Sequence, residues 1–176
     1  MPKTEVDYAV YFAQFNRALT TDGALLVSLD ENGRPNPMTI GWAMLGVVWS
    51  LPICTVLVRP SRYTYGCMNA TGDFTVCVPY PQMGEEVMFC GTRSGRRYDK
   101  MAECGFTALP SETIKSPGID ECGLILECRT MYTSDIDPAN LSSEIGAYAS
   151  GDYHRIYYGL IQRTVADEDF AERLRA

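Results

Sequence analysis

The chain has 176 residues, a length that suits one domain with a substantial hydrophobic core. Apolar residues make up 46% and charged residues 21%, which are the proportions of a folded globular protein and exclude an intrinsically disordered one. The formal net charge of −7 argues against binding to nucleic acid or to an anionic membrane surface.

The predicted elements begin with a short helix and a hairpin. Apolar residues at near-helical spacing predict a helix over residues 7–19, within a helical lead-in of residues 1–22. A strand is predicted over residues 24–29, and Asn32-Gly33 predicts the tight turn after it. The strands predicted next cover residues 36–44, 47–49 and 53–58.

An uncharged stretch over residues 40–58 is long enough to cross a membrane. It contains Gly41, Gly46 and Pro52 and is rich in Val, Trp and Thr. Two buried strands that break near residues 51–52 explain this composition better than a membrane span.

The rest of the chain adds three short helical segments and three strands. Ser61 as N-cap and Gly72 as stop predict a helix over residues 62–70. Residues 82–105 are a loop and helix region, whose helix around residues 99–104 ends at Gly105. The remaining predicted elements are strands at 74–78, 124–132 and 155–162 and a short C-terminal helix within 164–176. Six to eight strands with two or three short helices predict a mainly β single domain over residues 1–176, an antiparallel barrel.

Basic residues concentrate in the middle of the chain. Residues 59–100 contain six Arg or Lys against four Asp or Glu, a net of +2 in a chain of net −7. Two loops that carry these basic residues lie directly before predicted helices, and helix N-termini attract anions. The small residues of the loop 91–95 let backbone amides approach a ligand. These features indicate an anion site, while an ordinary solvated surface with mixed charges is the competing interpretation.

The cysteines and the single histidine give weaker signals. Seven Cys without a C-x-x-C pair favour buried free thiols in a reducing, cytoplasmic environment over a disulfide scaffold. No metal site is predicted, because His154 is the only histidine and the Cys spacings do not suit zinc. A lone His is more often structural than catalytic.

Five blocks of sequence, taken together, resemble one known family. They lie at residues 36–42, 58–65, 72–76, 90–100 and 151–159. In this order and spacing they are similar to the flavin reductase-like FMN-binding split-barrel proteins, and to the flavoredoxin branch in particular. Arg96-Arg97 stands where the family often has an Arg-Asp pair, which reverses one charge beside the expected phosphate.

The resemblance implies a split β-barrel, bound FMN and a homodimer with flavin near its interface. It implies a catalytic position for His154 near the reactive face of the flavin. The residues that it implies for FMN binding are Asn36, Met38, Thr39, Ile40, Trp42, Arg59, Ser61, Arg62, Tyr63, Thr64, Ser94, Gly95 and Lys100. Met38, Thr39, Ile40 and Trp42 would lie along the isoalloxazine, and the residues from Arg59 onwards would surround the ribityl phosphate.

Three functions follow from this reading. The first is an oxidoreductase in which NADH or NADPH gives hydride to bound flavin, which passes electrons to an acceptor. The second is a non-enzymatic FMN electron carrier, whose acidic surface docks to a redox partner protein. The third is a thiol redox sensor, which requires an accessible thiol of low pKa.

Overall fold

The computed structural model describes residues 3–174, and most of them lie on or against one antiparallel sheet. The strands are β1 Lys3–Glu5, β2 Ala24–Leu29, β3 Pro35–Ile40, β4 Ala43–Val48, β5 Leu51–Val58, β6 Asp73–Val78, β7 Ala108–Leu109, β8 Gly118–Ile119, β9 Leu124–Asp135 and β10 Arg155–Asp167. The α-helices are α1 Phe12–Thr20, α2 Tyr63–Thr71, α3 Gly84–Thr92, α4 Lys100–Glu103 and α5 Phe170–Arg173. Three 3₁₀ turns lie at Pro81–Met83, Pro138–Asn140 and Gly146–Tyr148.

The sheet runs in the order β3-β2-β6-β9-β10-β5-β4, and β1 pairs with the end of β10. Its two long strands, β9 and β10, pair along most of their length and carry two register shifts. One shift lies at Gly159, where a Cβ would stand 2.5 Å from the Phe74 ring. The missing side chain therefore lets Phe74 of β6 pack directly on β10.

The hydrophobic core lies against the central strands. All six residues of β6 are buried, and so are Leu25, Leu26 and Val27 of β2. β2 is a nearly continuous apolar run, while β6 satisfies its buried polar groups internally, because Thr75 donates to the Pro117 backbone oxygen at 2.7 Å and Asp73 accepts from the Ser116 N–H at 3.0 Å. They hold the two edges of the sheet in fixed positions.

The edge strands β3 and β4 meet at a single crossing. β3 pairs with β2 and β4 pairs with β5, and among residues 3–174 the two edges form no ladder with each other. Gly41 and Trp42 join them, so the sheet coils into a barrel that is split at this point. The prediction of one strand over residues 36–44 is therefore wrong, because the continuous apolar pattern hides the change of sheet edge.

Several predicted boundaries also differ. The first helix begins at Phe12 rather than residue 7, because the Asp7 carboxylate accepts from the Ala9 N–H in a local turn. The strands β4 and β5 break at Trp49-Ser50, which both have positive φ (54° and 58°), and not at residues 51–52. Ser61 is not the N-cap of α2; Arg62 holds that position, and Gly72 ends the helix as predicted with a φ of 72°.

The terminal segments and the helix count need correction too. The lead-in of residues 1–22 contains strand β1, and residues 164–167 continue β10 before the short helix α5. Residues 1–2 and 175–176 of these predicted segments lie outside the described residues. The described part of the chain has five α-helices instead of two or three, because the region 82–105 holds α3 as well as α4.

Candidate functional site

Two cavities lie side by side at the split of the barrel. The first, here called the strand cavity, measures about 170 Å³ and lies along β3 and the Gly41-Trp42 crossing. The second, called the basic cavity, measures about 160 Å³ and lies at the start of α2. Met38 and Arg62 line both, so the two cavities are contiguous.

The strand cavity is suited to a flat, polar-edged ring. Its lining residues are Met38, Thr39, Ile40, Gly41, Trp42, Leu57, Arg59, Arg62 and His154. Because β3 is an edge strand, the backbone N–H and C=O groups on its free side have no strand partner. Met38 and Ile40 are themselves buried in the core, which fixes the edge of this strand in place.

The basic cavity collects cations and hydroxyl groups from two separate loops. Its lining residues are Met38, Ser61, Arg62, Tyr63, Thr64, Cys90, Thr92, Arg93, Ser94, Gly95, Arg96 and Lys100. Within residues 3–174, no carboxylate lines either cavity. The first N–H groups of α2, a helix of nine residues, are unpaired within the helix and add partial positive charge at the same place.

Arg62 occupies the junction of the two cavities. It is exposed, and within the described residues its guanidinium makes no hydrogen bond or salt bridge. Arg96 lies nearby, with its guanidinium carbon 5.4 Å from the centre of the Tyr63 ring. The Arg96 guanidinium also donates to the Ser61 backbone oxygen at 3.4 Å. Two guanidinium groups without a carboxylate partner in the described residues therefore border the basic cavity, and such groups match phosphate oxygens well.

Lys100 is a buried cation without a carboxylate partner in the described part of the chain. Its Nζ donates to the backbone oxygens of Pro37 and Cys90, both at 2.9 Å. Burial lowers the pKa of Lys100, and the neighbouring Arg62 lowers it further. Since an ammonium group has three hydrogens, one donor remains for an occupant of the basic cavity.

Asn36 and Gly95 support the basic cavity without forming its anion-binding surface. The Asn36 amide donates to the Thr64 hydroxyl at 2.9 Å, and both residues are buried. Gly95 lies so close that a Cβ on it would stand 2.0 Å from Asn36 Oδ1 and 2.7 Å from the Tyr63 ring. This contact fixes the loop 91–95 against the start of α2.

Arg59 and Ser61 are engaged with the loop before β10. The Arg59 guanidinium donates to the backbone oxygens of Ala147, Gly151 and Asp152. The Ser61 hydroxyl donates to the Asp152 carboxylate at 2.6 Å, and this hydrogen bond lowers the pKa of Asp152. Both residues line the cavities as the resemblance implies, but their polar groups position the loop 146–154.

His154 and Trp42 form the outer wall of the strand cavity. His154 Nδ1 and the Tyr148 hydroxyl lie 2.7 Å apart and share one hydrogen. The Trp42 ring centre is 4.8 Å from that of the imidazole. Burial lowers the pKa of His154 to about 4, and the Arg59 charge acts in the same direction. The imidazole is therefore neutral at physiological pH and faces the cavity as a hydrogen-bonding group.

The structure brings twelve of the thirteen predicted binding residues and His154 to the two cavities; Asn36 lies behind them. The sequence reading missed the roles of Tyr148 and Asp152, which hold His154 and Ser61. No pattern in the sequence signals these two contacts. The remaining unpredicted lining residues are Gly41, Leu57, Cys90, Thr92, Arg93 and Arg96.

A family model described as the flavin reductase-like domain matches residues 16–174. The chain belongs to the flavin reductase-like family. The match includes every strand from β2 to β10, so the split barrel described above is the fold of this family. Among residues 3–174, no helix has the length and apolar character that crossing a membrane requires.

Solved structures of the family show the same fold. The chain is similar to the flavoredoxin of Methanosarcina acetivorans, with 28% identity, a TM-score of 0.68 and coverage of 83% of this chain and 68% of that one. The flavoredoxin of Desulfovibrio vulgaris (Miyazaki F) gives 25% identity and a TM-score of 0.67, over 83% and 69% of the two chains. An uncharacterised protein of Archaeoglobus fulgidus is 35% identical over 98 residues, which cover 56% of this chain. The matched stretch spans 55%, about half, of that curated relative.

Proposed function

We propose that this flavin reductase-like protein binds FMN across the two cavities, with the ring in the strand cavity and the phosphate in the basic cavity. The observation that supports this most is the arrangement of two contiguous, carboxylate-free cavities, one along the free edge of β3 and one lined by cations, which meet at Arg62. A flavin mononucleotide has the same two parts, a planar ring and a dianionic phosphate.

The donor set of the basic cavity fits a phosphate group. Arg62, Arg93 and Arg96 supply charge, and the Ser94 hydroxyl, which accepts from the Arg96 backbone N–H, keeps its own hydrogen as a neutral donor. Among the described residues, none of the three arginines forms a salt bridge within the protein. A ligand phosphate would thus meet guanidinium groups whose charge no protein carboxylate neutralises.

We further propose that the protein is an oxidoreductase of the flavin reductase type. Bound flavin supplies the redox chemistry, accepting hydride from NADH or NADPH and releasing electrons to an acceptor. The chain itself holds the ring against β3, shields one side with Trp42 and His154, and anchors the phosphate. A neutral His154 offers a hydrogen bond at the rim where a nicotinamide would stack.

Rapid mixing tests this activity. The FMN-loaded protein is mixed anaerobically with NADH and, separately, with NADPH, and the flavin absorbance near the visible maximum is followed. Loss of that absorbance within seconds with one of the two donors supports the reductase. No bleaching with either donor contradicts it.

The alternative is an electron carrier that receives electrons from a partner protein. The similarity to two flavoredoxins and the net charge of −7, which suits docking to a basic surface, favour it. A carrier predicts no bleaching by either nicotinamide but full reduction by dithionite and rapid reoxidation by a redox protein.

We predict that His154 makes the fold sensitive to acid. Its pKa falls from 6.5 in the unfolded chain to about 4 in the folded protein, so below pH 6.5 the unfolded state binds the proton more readily. The free energy of unfolding should lose roughly 3 kcal/mol from this group as pH falls from 7 to 4.

Urea unfolding of the wild type and of His154→Gln at pH 7 and pH 4 measures that contribution. Between pH 7 and pH 4, the free energy of unfolding should fall by roughly 3 kcal/mol more in the wild type than in the variant, because glutamine does not take up the proton that His154 binds in the unfolded chain. An equal loss in both proteins would mean that His154 is not held neutral by burial.

We also propose that the protein forms a homodimer through an exposed apolar face on β4 and β9. Met44 of β4 and Tyr132 of β9 lie in one cross-strand row with Thr55 and Tyr158, and both are exposed. The exposed Trp49, in the turn after β4, extends this face. Trp49, Tyr132 and Tyr158 cluster with ring centres 5.5–6.1 Å apart. Contiguous apolar surface of this kind marks a protein interface.

Sedimentation of matched glutamate variants tests the dimer. Met44→Glu introduces a charge into the apolar face and should convert the dimer to monomer. Met88→Glu, at a still more exposed methionine on α3 (70% against 62%), should stay dimeric. A monomeric wild type, or dimers in both variants, contradicts the proposed interface.

A further inference from the structure

Two cysteines face each other behind the basic cavity. Cys90 lies in the last turn of α3, is fully buried and lines the cavity. Cys104 follows α4 and is half-buried. Their Sγ atoms are 3.9 Å apart, compared with about 2 Å in a disulfide, so the two thiols are neighbours that a small movement would join.

The two cysteines stand at the two ends of a segment that forms much of the basic cavity. The segment between the two cysteines, residues 91–103, contains half of the basic cavity lining, including Arg93, Ser94 and Lys100. Lys100 Nζ also donates to the backbone oxygen of Cys90 at 2.9 Å. The two sulfur atoms therefore meet where both ends of the cavity-forming segment come together.

We propose that Cys90 and Cys104 are a dithiol modification site, which a peroxide converts reversibly to a disulfide that closes residues 91–103 into a loop. The closed loop has less freedom to open. The side chains on it that would bind a phosphate therefore lose less conformational entropy when the phosphate binds. The site itself does not depend on the proposed function; only the effect on FMN affinity rests on it.

The oxidation balances with one hydrogen peroxide. The Cys104 thiolate attacks a peroxide oxygen, the O–O bond breaks, hydroxide leaves, and Cys104 becomes a sulfenic acid. The Cys90 sulfur then attacks the Cys104 sulfur; the S–S bond forms, the S–O bond breaks, and water leaves with the Cys90 proton. Two electrons pass from the two thiols to the peroxide, and a dithiol reductant reverses the change.

Solvent exposure makes Cys104 the thiol that reacts first with peroxide. It is the one cysteine in residues 3–174 that is not fully buried. The other thiols are Cys54, Cys67, Cys77, Cys122 and Cys128, all buried. Peroxide in solution therefore reaches the Cys90–Cys104 pair before any other thiol of the folded protein.

Burial and the surrounding charges make oxidation of the Cys90–Cys104 pair slow at neutral pH. Burial raises the pKa of Cys90 to about 12 and also raises that of Cys104. The carboxylates of Glu86 on α3 and Glu103 on α4 oppose the Cys104 thiolate, while Lys100 favours it. Because the thiolate is the nucleophile, oxidation should accelerate with rising pH, and Glu86→Gln should accelerate it at constant pH. These raised pKa values are the opposite of what a fast thiol sensor requires.

Peptide mapping by mass spectrometry tests the site. After hydrogen peroxide treatment at pH 8.5, the wild type should lose two hydrogens and yield a peptide linked through Cys90 and Cys104. Cys104→Ser should give no such product, Cys67→Ser should react like the wild type, and Glu86→Gln should react about threefold or more faster. Two free thiols at these positions, a link between other cysteines, or only over-oxidised Cys104 would overturn the proposal.

Trypsin tests the closed loop without reference to any cofactor. The loop carries exposed Arg93, Arg96 and Arg97, and their cleavage requires local opening. Oxidised wild type should be cut there several-fold more slowly than reduced wild type, with the difference absent in Cys104→Ser. FMN should bind the oxidised form several-fold more tightly. Disulfide formation with unchanged cleavage contradicts loop closure, whereas a protein that resists trypsin but binds no FMN contradicts only the proposed function.

Discussion

If FMN binds as proposed, replacing Arg62 with alanine should weaken its binding by about 10- to 100-fold, the equivalent of one or two charge-assisted hydrogen bonds. Arg62 borders both cavities, and within the described residues no protein group engages its guanidinium. The full interaction with a phosphate is therefore lost on truncation, and no internal ion pair is broken. Stability without FMN should remain within about 0.5 kcal/mol of wild type, as expected for an exposed side chain.

Titration of apoprotein into FMN, followed by flavin fluorescence, measures this effect. Arg97→Ala is the matched control, because it removes the same charge from a neighbouring hollow that Arg97 lines but that lies outside both cavities. It should change the affinity several-fold less than Arg62→Ala at 0.15 M salt, because an exposed charge that lines neither cavity acts through screened solvent. If both variants lose the same FMN affinity, Arg62 acts only through its general positive charge. If neither variant loses affinity, Arg62 has no role in FMN binding.

Replacing Gly95 with alanine should damage both the fold and the cavity. The new Cβ would stand 2.0 Å from Asn36 Oδ1, and Asn36 is buried and holds the Thr64 hydroxyl. Either the loop 91–95 withdraws, which opens the basic cavity, or Asn36 turns and leaves polar groups unsatisfied. We expect a loss of about 2 kcal/mol in the free energy of unfolding, together with at least tenfold weaker FMN binding.

Chemical denaturation and FMN titration of the same samples separate the two effects. Gly66→Ala is the control, since it lies in α2, where no heavy atom stands within 4 Å of an added Cβ. It should stabilise the protein by roughly 0.5–1 kcal/mol, as alanine does in a helix, and leave FMN affinity unchanged. A Gly95→Ala protein with normal stability and normal affinity would show that the tight contact with Asn36 is not needed.

Much of the fold could be predicted because its signals are local. Residues 24–29 form the predicted strand, and Gly72 ends α2 through its left-handed backbone. The break at Gly41-Trp42 was missed because it separates strands that belong to opposite edges of the sheet, a tertiary property. Residues 99–105 were recognised as a helix with a glycine stop, while α3 lacks a side-chain N-cap and gives no start signal.

The sequence predicts most of the residues that line the two cavities but not what their polar groups contact. Lys100, Arg59 and Ser61 do reach the cavities, yet their polar groups bind backbone oxygens or Asp152 over separations of 10 to 93 residues. Only the folded chain shows which donors are consumed by such contacts and which remain free. For Arg62, the sequence predicts a phosphate-binding side chain, and the structure shows a guanidinium that lines both cavities without an internal partner in the described residues.

Comparison of FMN with riboflavin tests the central claim most directly, because the two ligands share ring and ribityl chain and differ only in the phosphate. If the basic cavity holds the phosphate, FMN should bind about 100-fold or more tightly than riboflavin, and the ratio should shrink as salt is raised. Equal affinities for the two flavins, or no binding of either, would contradict the account.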